Sequence, residues 1–230
     1  MKILIVGSGG REHALGEKIK ANDRKLYFAP GNSGTSEIGE NIDIGATDIE
    51  KLVEFAKKEE IDYTIVGPED PLCMGLVDRF QENDLKVFGV NKKASKFESS
   101  KTYCKNFLEK YGIKTAAYLK SEDKEEILSY GEKLIKEKGK LVLKRDGLAG
   151  GKGVFIIDKL SEFREKASEI LAMDKSLIIE EFIDGFEMSL LALTDSSTII
   201  PLPTAKDHKK IYDREIGPNT GGMGTYAPNV

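Results

Sequence analysis

Lys2-Ile3-Leu4-Ile5-Val6-Gly7-Ser8-Gly9-Gly10-Arg11-Glu12 is the stretch on which the fold turns. Lys2 to Val6 is a short apolar run closed by Gly7, the pattern of a buried strand. His13, Ala14, Leu15 and Ile19 then follow at helical spacing. A glycine turn between a strand and a helix offers unpaired backbone N–H groups and the positive end of the helix dipole, which together favour an anion such as phosphate.

The same alternation continues outward. Leu26 to Ala29 reads as a second strand, ended by Pro30-Gly31-Asn32. Asp48 is placed as an N-cap, followed by Ile49, Leu52, Val53 and Ala56 on one helix face. Ile61 to Val66 is a third strand that stops at Gly67-Pro68-Glu69. One helix carrying Cys73, Leu76, Val77 and Phe80 follows, and Val87-Phe88 makes a fourth strand. Strands alternating with helices imply right-handed βαβ units and a parallel sheet. The fold class is therefore α/β, with a doubly wound parallel-sheet domain at the N-terminus.

Composition narrows the function. The chain has 230 residues, 40% of them hydrophobic, with 35 basic and 39 acidic side chains for a net charge of −4. At roughly 150 residues per domain this allows one large or two ordinary domains. No apolar run approaches the ~20 residues of a membrane helix. MKILIVGSGG carries no signal-peptide cleavage pattern. Cys73 and Cys104 give neither a disulfide framework nor zinc spacing, and read as core residues of apolar helix faces. The slightly acidic balance leaves no footprint for nucleic acid. The expectation is a cytoplasmic protein with no membrane or nucleic-acid partner.

From about Lys92 the texture changes. Cys104, Phe107, Leu108 and Tyr111 read as one helix face, closed by Gly112 at C′. Ser121 is placed as the cap of a charged helix whose apolar positions include Ile127, Leu134 and Ile135. Then come a strand (Leu141 to Lys144), a glycine loop, a strand (Val154 to Ile157), a helix with Phe163, Ala167, Ile170 and Leu171, and a strand (Leu177 to Glu181). This order suggests a compact α+β lid beside a nucleotide. Ile216 to Val230, rich in Gly, Pro, Asn and Thr, shows no helical or strand period, and the chain reads as a fragment that stops there.

Three segments carry chemistry. In the first glycine loop, the third glycine of a dinucleotide fingerprint falls on Glu12, and the second strand ends without an acid for a ribose. Arg11 suits a forked grip on a terminal phosphate instead. Glu69, where the third strand ends, lies where open parallel sheets collect ligands and can accept hydrogen bonds from sugar hydroxyls or an amine. Taken alone, each also reads as a tight turn with a surface charge. In Lys144-Arg145-Asp146-Gly147-Leu148-Ala149-Gly150-Gly151-Lys152-Gly153-Val154, Gly-Lys is not followed by Ser or Thr, so this is no Walker A loop. A glycine loop joining two antiparallel strands can fold over a triphosphate, while its lysines neutralise charge moving to the leaving diphosphate. In Ile179-Glu180-Glu181-Phe182-Ile183 a strand end can present backbone groups to an adenine edge, and Glu187 can bridge two ribose hydroxyls.

Taken together, GSGGREHAL (Gly7 to Leu15), APGNSGT (Ala29 to Thr35), VGPEDPL (Val66 to Leu72), KRDGLAGGKGV (Lys144 to Val154), IEEFIDGFEMS (Ile179 to Ser189), KDHKK (Lys206 to Lys210) and GPNTGGMGTYAP (Gly217 to Pro228) resemble the ATP-grasp superfamily. Within it they resemble the glycinamide ribonucleotide synthetases, or phosphoribosylamine–glycine ligases. The resemblance implies a domain of residues 1–100 for phosphoribosylamine, then an ATP-grasp domain of 101–230. That second domain would hold a lid at about 115–187 and the start of a second subdomain, incomplete at the C-terminus.

The implied reaction phosphorylates the carboxylate of glycine with ATP and joins it to the amine of 5-phosphoribosylamine. Lys101 and Lys144 would contact ATP phosphates, with Gly150, Gly151, Lys152 and Gly153 covering them. Glu180, Glu181, Phe182 and Ile183 would hold adenine, and Glu187 the ribose. Gly9, Gly10, Arg11 and Glu69 would hold phosphoribosylamine. Asp207, His208 and Lys209, with Asn219, Thr220, Gly221 and Gly222, would line the acceptor and acyl-phosphate site. Lys144, Asp207, His208 and Lys209 are thus the implied catalytic set. The resemblance also implies Mg²⁺ (or Mn²⁺) held by residues beyond Val230, a monomer, and little ligase activity from these 230 residues alone. Another ATP-grasp ligase, a non-catalytic nucleotide- or phosphoribosyl-binding module and, weakest, a dehydrogenase are the alternatives.

Overall fold

The computed structural model describes residues 1–146, 153–174 and 176–228, with Glu215 described by its backbone alone. The chain divides into two compact units, Met1–Cys104 and Lys105–Val230.

In the first unit the strands are β1 (Lys2–Gly7), β2 (Lys25–Pro30), β3 (Glu40–Asn41), β4 (Tyr63–Val66) and β5 (Val87–Phe88). They form one parallel sheet in the order β3-β2-β1-β4-β5. The helices are α1 (Gly10–Ile19), α2 (Ile49–Lys58), α3 (Glu69–Met74), α4 (Leu76–Gln81) and α5 (Lys96–Ser99). The central strand explains the unbroken apolar run. Leu4 and Val6 pack with Leu52, Val53, Leu76 and Phe80 on one face, while Ile3 and Ile5 pack with Leu26 and Phe28 on the other. A parallel strand covered on both faces has no polar side to alternate with. The doubly wound reading is correct.

Two local readings need correction. The single helix carrying Cys73 and Phe80 is two short helices, because Gly75 takes the left-handed conformation (φ 97°) between them. Leu76, Val77 and Phe80 reach the core, while Cys73 stays half-buried. Asp48 does cap α2 by position, but its carboxylate pairs with Lys51 at 2.6 Å and takes no helix amide.

The second unit is built around α6 (Lys101–Lys110), which begins in the first unit, β6 (Tyr118–Ser121), α7 (Lys124–Lys138), β7 (Leu141–Arg145), β8 (Val154–Ile157), α8 (Leu160–Met173) and β9 (Leu177–Glu181). The strands form an antiparallel sheet in the order β6-β9-β7-β8. Leu141, Leu143, Ile157, Leu177 and Ile179 face Ile127, Leu134, Phe163, Ala167 and Ile170 of the two helices. Gly112 ends α6 as expected, with φ 64° and with Ile113 N donating back to Leu108 O at 2.8 Å.

Ser121 is not the cap of α7. Asp123 is, accepting from Glu126 N at 2.9 Å, while Ser121 closes β6 and supports that turn by accepting from Asp123 N. The α6 face also differs from the sequence reading. Its buried residue is Lys105; Cys104 is half-buried and Tyr111 exposed.

Three two-stranded antiparallel ribbons complete the unit. They pair β10 (Ala192–Thr194) with β11 (Ile199–Pro201), β12 (Lys206–Asp207) with β15 (Thr225–Tyr226), and β13 (Lys210–Tyr212) with β14 (Ile216–Asn219). The stretch from Ile216, which has no strand period in sequence, therefore contributes two strands. They are too short for a period of two to register. Among the described residues no helix is long and apolar enough to cross a membrane.

Candidate functional site

In the first unit the C-terminal ends of β1 and β4 lie side by side, and the chain leaves them for α1 and α3. This is the switch point of the strand order, where open α/β sheets leave a crevice. A cavity of about 370 Å³ lies there, lined by Gly7 to Glu12, Ala46, Thr47 and Pro68 to Pro71. Gly9, Gly10, Arg11 and Glu69 all border it.

Glu12, the residue that breaks the dinucleotide fingerprint, gives the cavity its shape. It is buried, at 4% exposure, and its Oε2 accepts the Gly9 N–H at 2.6 Å. Its carboxyl group fills the space above Gly67, where a Cβ would meet Glu12 Oε1 at 1.8 Å. The Gly9 amide is thus already engaged, so Gly9 contributes curvature and leaves the first-turn amides of α1 to face an anion. Arg11 Nη1 donates to Gly67 O at 2.6 Å, which fixes the guanidinium across the mouth between the two strand ends.

In the second unit one face of the four-stranded sheet is covered by α7 and α8; the other carries charge. Glu180 stands opposite Tyr118 on β6 and Val142 on β7, and Lys144 is two residues along on the same side of β7. Lys144 Nζ donates to Glu180 Oε2 at 2.8 Å. Lys105, reaching in from α6, places its Nζ 3.3 Å from Glu180 Oε1, an ionic contact without hydrogen-bond geometry. Burial, followed by its contact with Glu109, pushes the Tyr118 hydroxyl above the usual phenol range. At the start of the glycine loop, Arg145 grips Asp174 through two hydrogen bonds and holds that carboxyl below its usual range. Arg145 N donates to Gly153 O at 2.9 Å, closing the hairpin. Gly150, Gly151 and Lys152 lie outside the described residues.

Beyond Glu180 the predicted adenine segment divides. The Glu181 carboxylate turns back to accept from Ala117 N, Phe182 lies under the Lys140 ammonium at 3.8 Å, and Ile183 is exposed. Glu187 forms an ion pair with Lys209.

The ribbons gather the predicted acceptor residues. Asp207 pairs with Thr225, His208 N donates to Gly224 O, and Thr220 donates through both N and Oγ1 to Lys209 O. The His208 ring lies 5.8 Å from that of Tyr226. Asn219 stands opposite Lys210. Asp207, His208, Lys209 and the turn from Asn219 to Gly222 therefore form one neighbourhood of backbone and side-chain contacts. Lys101, also expected at phosphate, opens α6 half-buried and belongs to the first unit.

The residue that sequence reasoning missed is Lys105. It sits one helical turn after Lys101, and its neighbours Cys104 and Leu108 drew attention to a different face.

Residues 1–98 match the family model described as phosphoribosylglycinamide synthetase, N domain, and residues 99–230 match phosphoribosylglycinamide synthetase, ATP-grasp (A) domain. The chain belongs to the phosphoribosylglycinamide synthetase family. Among its relatives, the phosphoribosylamine–glycine ligase of Fusobacterium nucleatum is 47% identical over all of this chain and 55% of its own length. That of Clostridium acetobutylicum is 44% identical over all of this chain and 56% of its own. The crystal structure of the Thermotoga maritima phosphoribosylamine–glycine ligase superposes with a TM-score of 0.80 at 35% identity, over 99% of this chain and 56% of that one. An N5-carboxyaminoimidazole synthetase from Staphylococcus aureus, complexed with ADP, has a TM-score of 0.69 at 15% identity over 90% of this chain and 54% of its own, a likeness of fold. The chain spans about half the length of the curated relatives it matches. As a synthetase-family chain, it carries the expected α/β domain followed by an ATP-grasp-type domain.

Proposed function

We propose that this chain supplies the phosphoribosylamine and ATP sites of a ligase that joins glycine to 5-phosphoribosylamine, giving glycinamide ribonucleotide, ADP and phosphate. The observation that supports the reading is that each unit sets a basic side chain beside a glycine-rich stretch of the chain. One has the Arg11 fork beside the α1 N-terminus. The other has Lys144 at the mouth of the second loop.

In this reading the first-turn amides of α1 and Arg11 hold the phosphate of phosphoribosylamine, and Glu69 accepts from its sugar hydroxyls or amine. Lys144 holds an ATP phosphate beneath Gly150 to Gly153, the backbone from Glu180 to Ile183 meets adenine, and Glu187 leaves Lys209 to bridge the ribose. Lys101 adds a second cation at the phosphates.

The γ-phosphoryl group passes to a glycine carboxylate oxygen, releasing ADP. The amine then attacks the acyl carbon, the C–O bond to phosphate breaks, and the amine loses a proton. Lys209, beside Asn219 to Gly222, stabilises the acyl phosphate, and Asp207 or His208 can take that proton. Among the described residues no three His, Cys, Asp or Glu side chains gather for a metal, and the proposal assigns Mg²⁺ no ligand in this chain.

The test is calorimetry of the 230-residue chain with ribose 5-phosphate and ATP, alongside an assay for ADP release with glycine and phosphoribosylamine. Binding of both ligands at non-competing sites, with ADP release well below that of the longer relatives, is expected. Competition between the two ligands for one site would overturn the reading.

A further inference from the structure

Lys105 is an unusual lysine. Its side chain is 9% exposed, and its ammonium donates to Thr115 Oγ1 at 2.7 Å and to Ala116 O at 3.1 Å. It also faces Glu180 Oε1 at 3.3 Å and lies 5.1 Å from the centre of the Tyr118 ring. Lysine is almost never buried unless paired, and here the ammonium has two hydrogen-bond acceptors and one facing carboxylate.

Glu180 is equally sealed, with its side chain 7% exposed, and its two oxygens are divided between two lysines. Lys144, on Oε2, keeps 25% of its side chain open to solvent. Two cations around one carboxylate leave an excess positive charge on this face, and only the Lys144 ammonium is placed to offer it to an incoming anion. A phosphate that captures Lys144 takes away one of the two partners of a buried carboxylate. A buried carboxylate with no partner is strongly disfavoured, which would oppose the capture.

We propose that Lys105 is a positioning residue for nucleotide binding: by holding Glu180 from the sealed side, it lets Lys144 exchange that carboxylate for an ATP phosphate. The proposal rests on the nucleotide reading of this face given above. Lys105 touches no phosphate itself. The groups facing Glu180 are Lys105 from α6, Lys144 from β7 and Tyr118 from β6; farther along the same face Lys120 lies 3.9 Å from Asp146.

Two consequences follow. In Lys105→Met, Lys144 stays bound to Glu180, and ATP affinity falls by about tenfold or more, the usual size of effect when one partner of a buried charge pair is removed. In the double variant Lys105→Met/Glu180→Gln the carboxylate is gone, and much of the lost affinity returns.

The experiment is calorimetric titration of the 230-residue chain and these variants with ATP. Ribose 5-phosphate binding by the first unit and the thermal transition serve as checks on folding. Loss in the single variant and recovery in the double variant support the proposal. Three results overturn it. Unchanged affinity in Lys105→Met removes the role of Lys105 while leaving the nucleotide reading intact. A loss that persists in the double variant makes Lys105 a brace for residues 115 and 116 alone. Failure of the parent chain to bind ATP, with ribose 5-phosphate binding retained, removes the nucleotide reading itself. Should the single variant not fold, Lys105→Arg is measured in its place: it keeps the charge and is expected to stay within about threefold of the parent, and a larger loss counts against the proposal.

Discussion

Among the described residues each unit of this molecule buries one carboxylate, and the two are satisfied by opposite means. Glu12 is held by backbone: the Gly9 amide donates to it, and the glycines at 7 and 67 leave it the room. Glu180 is held by side-chain cations, Lys105 and Lys144. The first arrangement is rigid, since neither partner can move without rebuilding the turn. The second can change partners, since a lysine stem swings. A rigid cradle suits recognition of a fixed phosphate, and an exchangeable one suits a phosphate that changes during the reaction.

The comparison breaks most severely at Gly67. Gly67→Ala sets a methyl group against the Glu12 carboxyl, where a Cβ would come within 1.8 Å of Oε1. Overpacking of this kind costs about 3 kcal/mol, and denaturant unfolding of the first unit measures it; a stable variant would mean that Glu12 leaves its site freely. Lys144→Met comes next. Loss of a charge-assisted phosphate contact lowers ATP affinity by about 2 kcal/mol, with ribose 5-phosphate binding unaltered in the same titration. Arg11→Met has the mirror effect, about 1.5 kcal/mol on ribose 5-phosphate and none on ATP.

A smaller change sharpens the contrast within the second unit, whose lysine pair sits on a sheet held by ordinary helix signals. Asp123→Ala removes the cap of α7 and lowers the stability of that unit by about 1 kcal/mol, seen as a shift in its thermal midpoint.

The smallest effect concerns a carboxylate that, like Glu12, is held by backbone. Asp195 accepts from Thr198 N, Ser197 N and the Ser197 hydroxyl, and these hydrogen bonds lower its pKa from 3.8 to about 2. A carboxyl depressed on folding stabilises the β10–β11 turn above its ordinary pKa, and that stabilisation fades as pH falls from about 4 towards 2. NMR titration of the Asp195 side chain should find its midpoint near 2; a midpoint at 3.8 would show the turn open.

The sequence made the first unit legible because a parallel strand covered on both faces leaves an unbroken apolar run, and Lys2 to Val6 has one. Arg11 and Glu69 stood out because the strand ends before them are sharply punctuated by glycine. Gly75, which splits α3 from α4, was hidden because Leu76, Val77 and Phe80 keep helical spacing across it. The ribbons from Ala192 to Tyr226 were hidden because strands of two to four residues carry no measurable period. Lys105 was the deepest omission. A lysine on an amphipathic helix reads as solvent-facing, and only the return of β6 and β9 across the sheet reveals the carboxylate that draws it inward.

The central claim is that the two glycine turns hold different phosphorylated molecules. Backbone-amide NMR of the chain during separate titrations with ATP and ribose 5-phosphate tests it most directly. The account predicts that ATP shifts the amides of Lys144 and of Glu180 to Phe182 while leaving Gly7 to Arg11 in place, and that ribose 5-phosphate does the reverse. ATP shifts confined to Gly7 to Arg11 would contradict it.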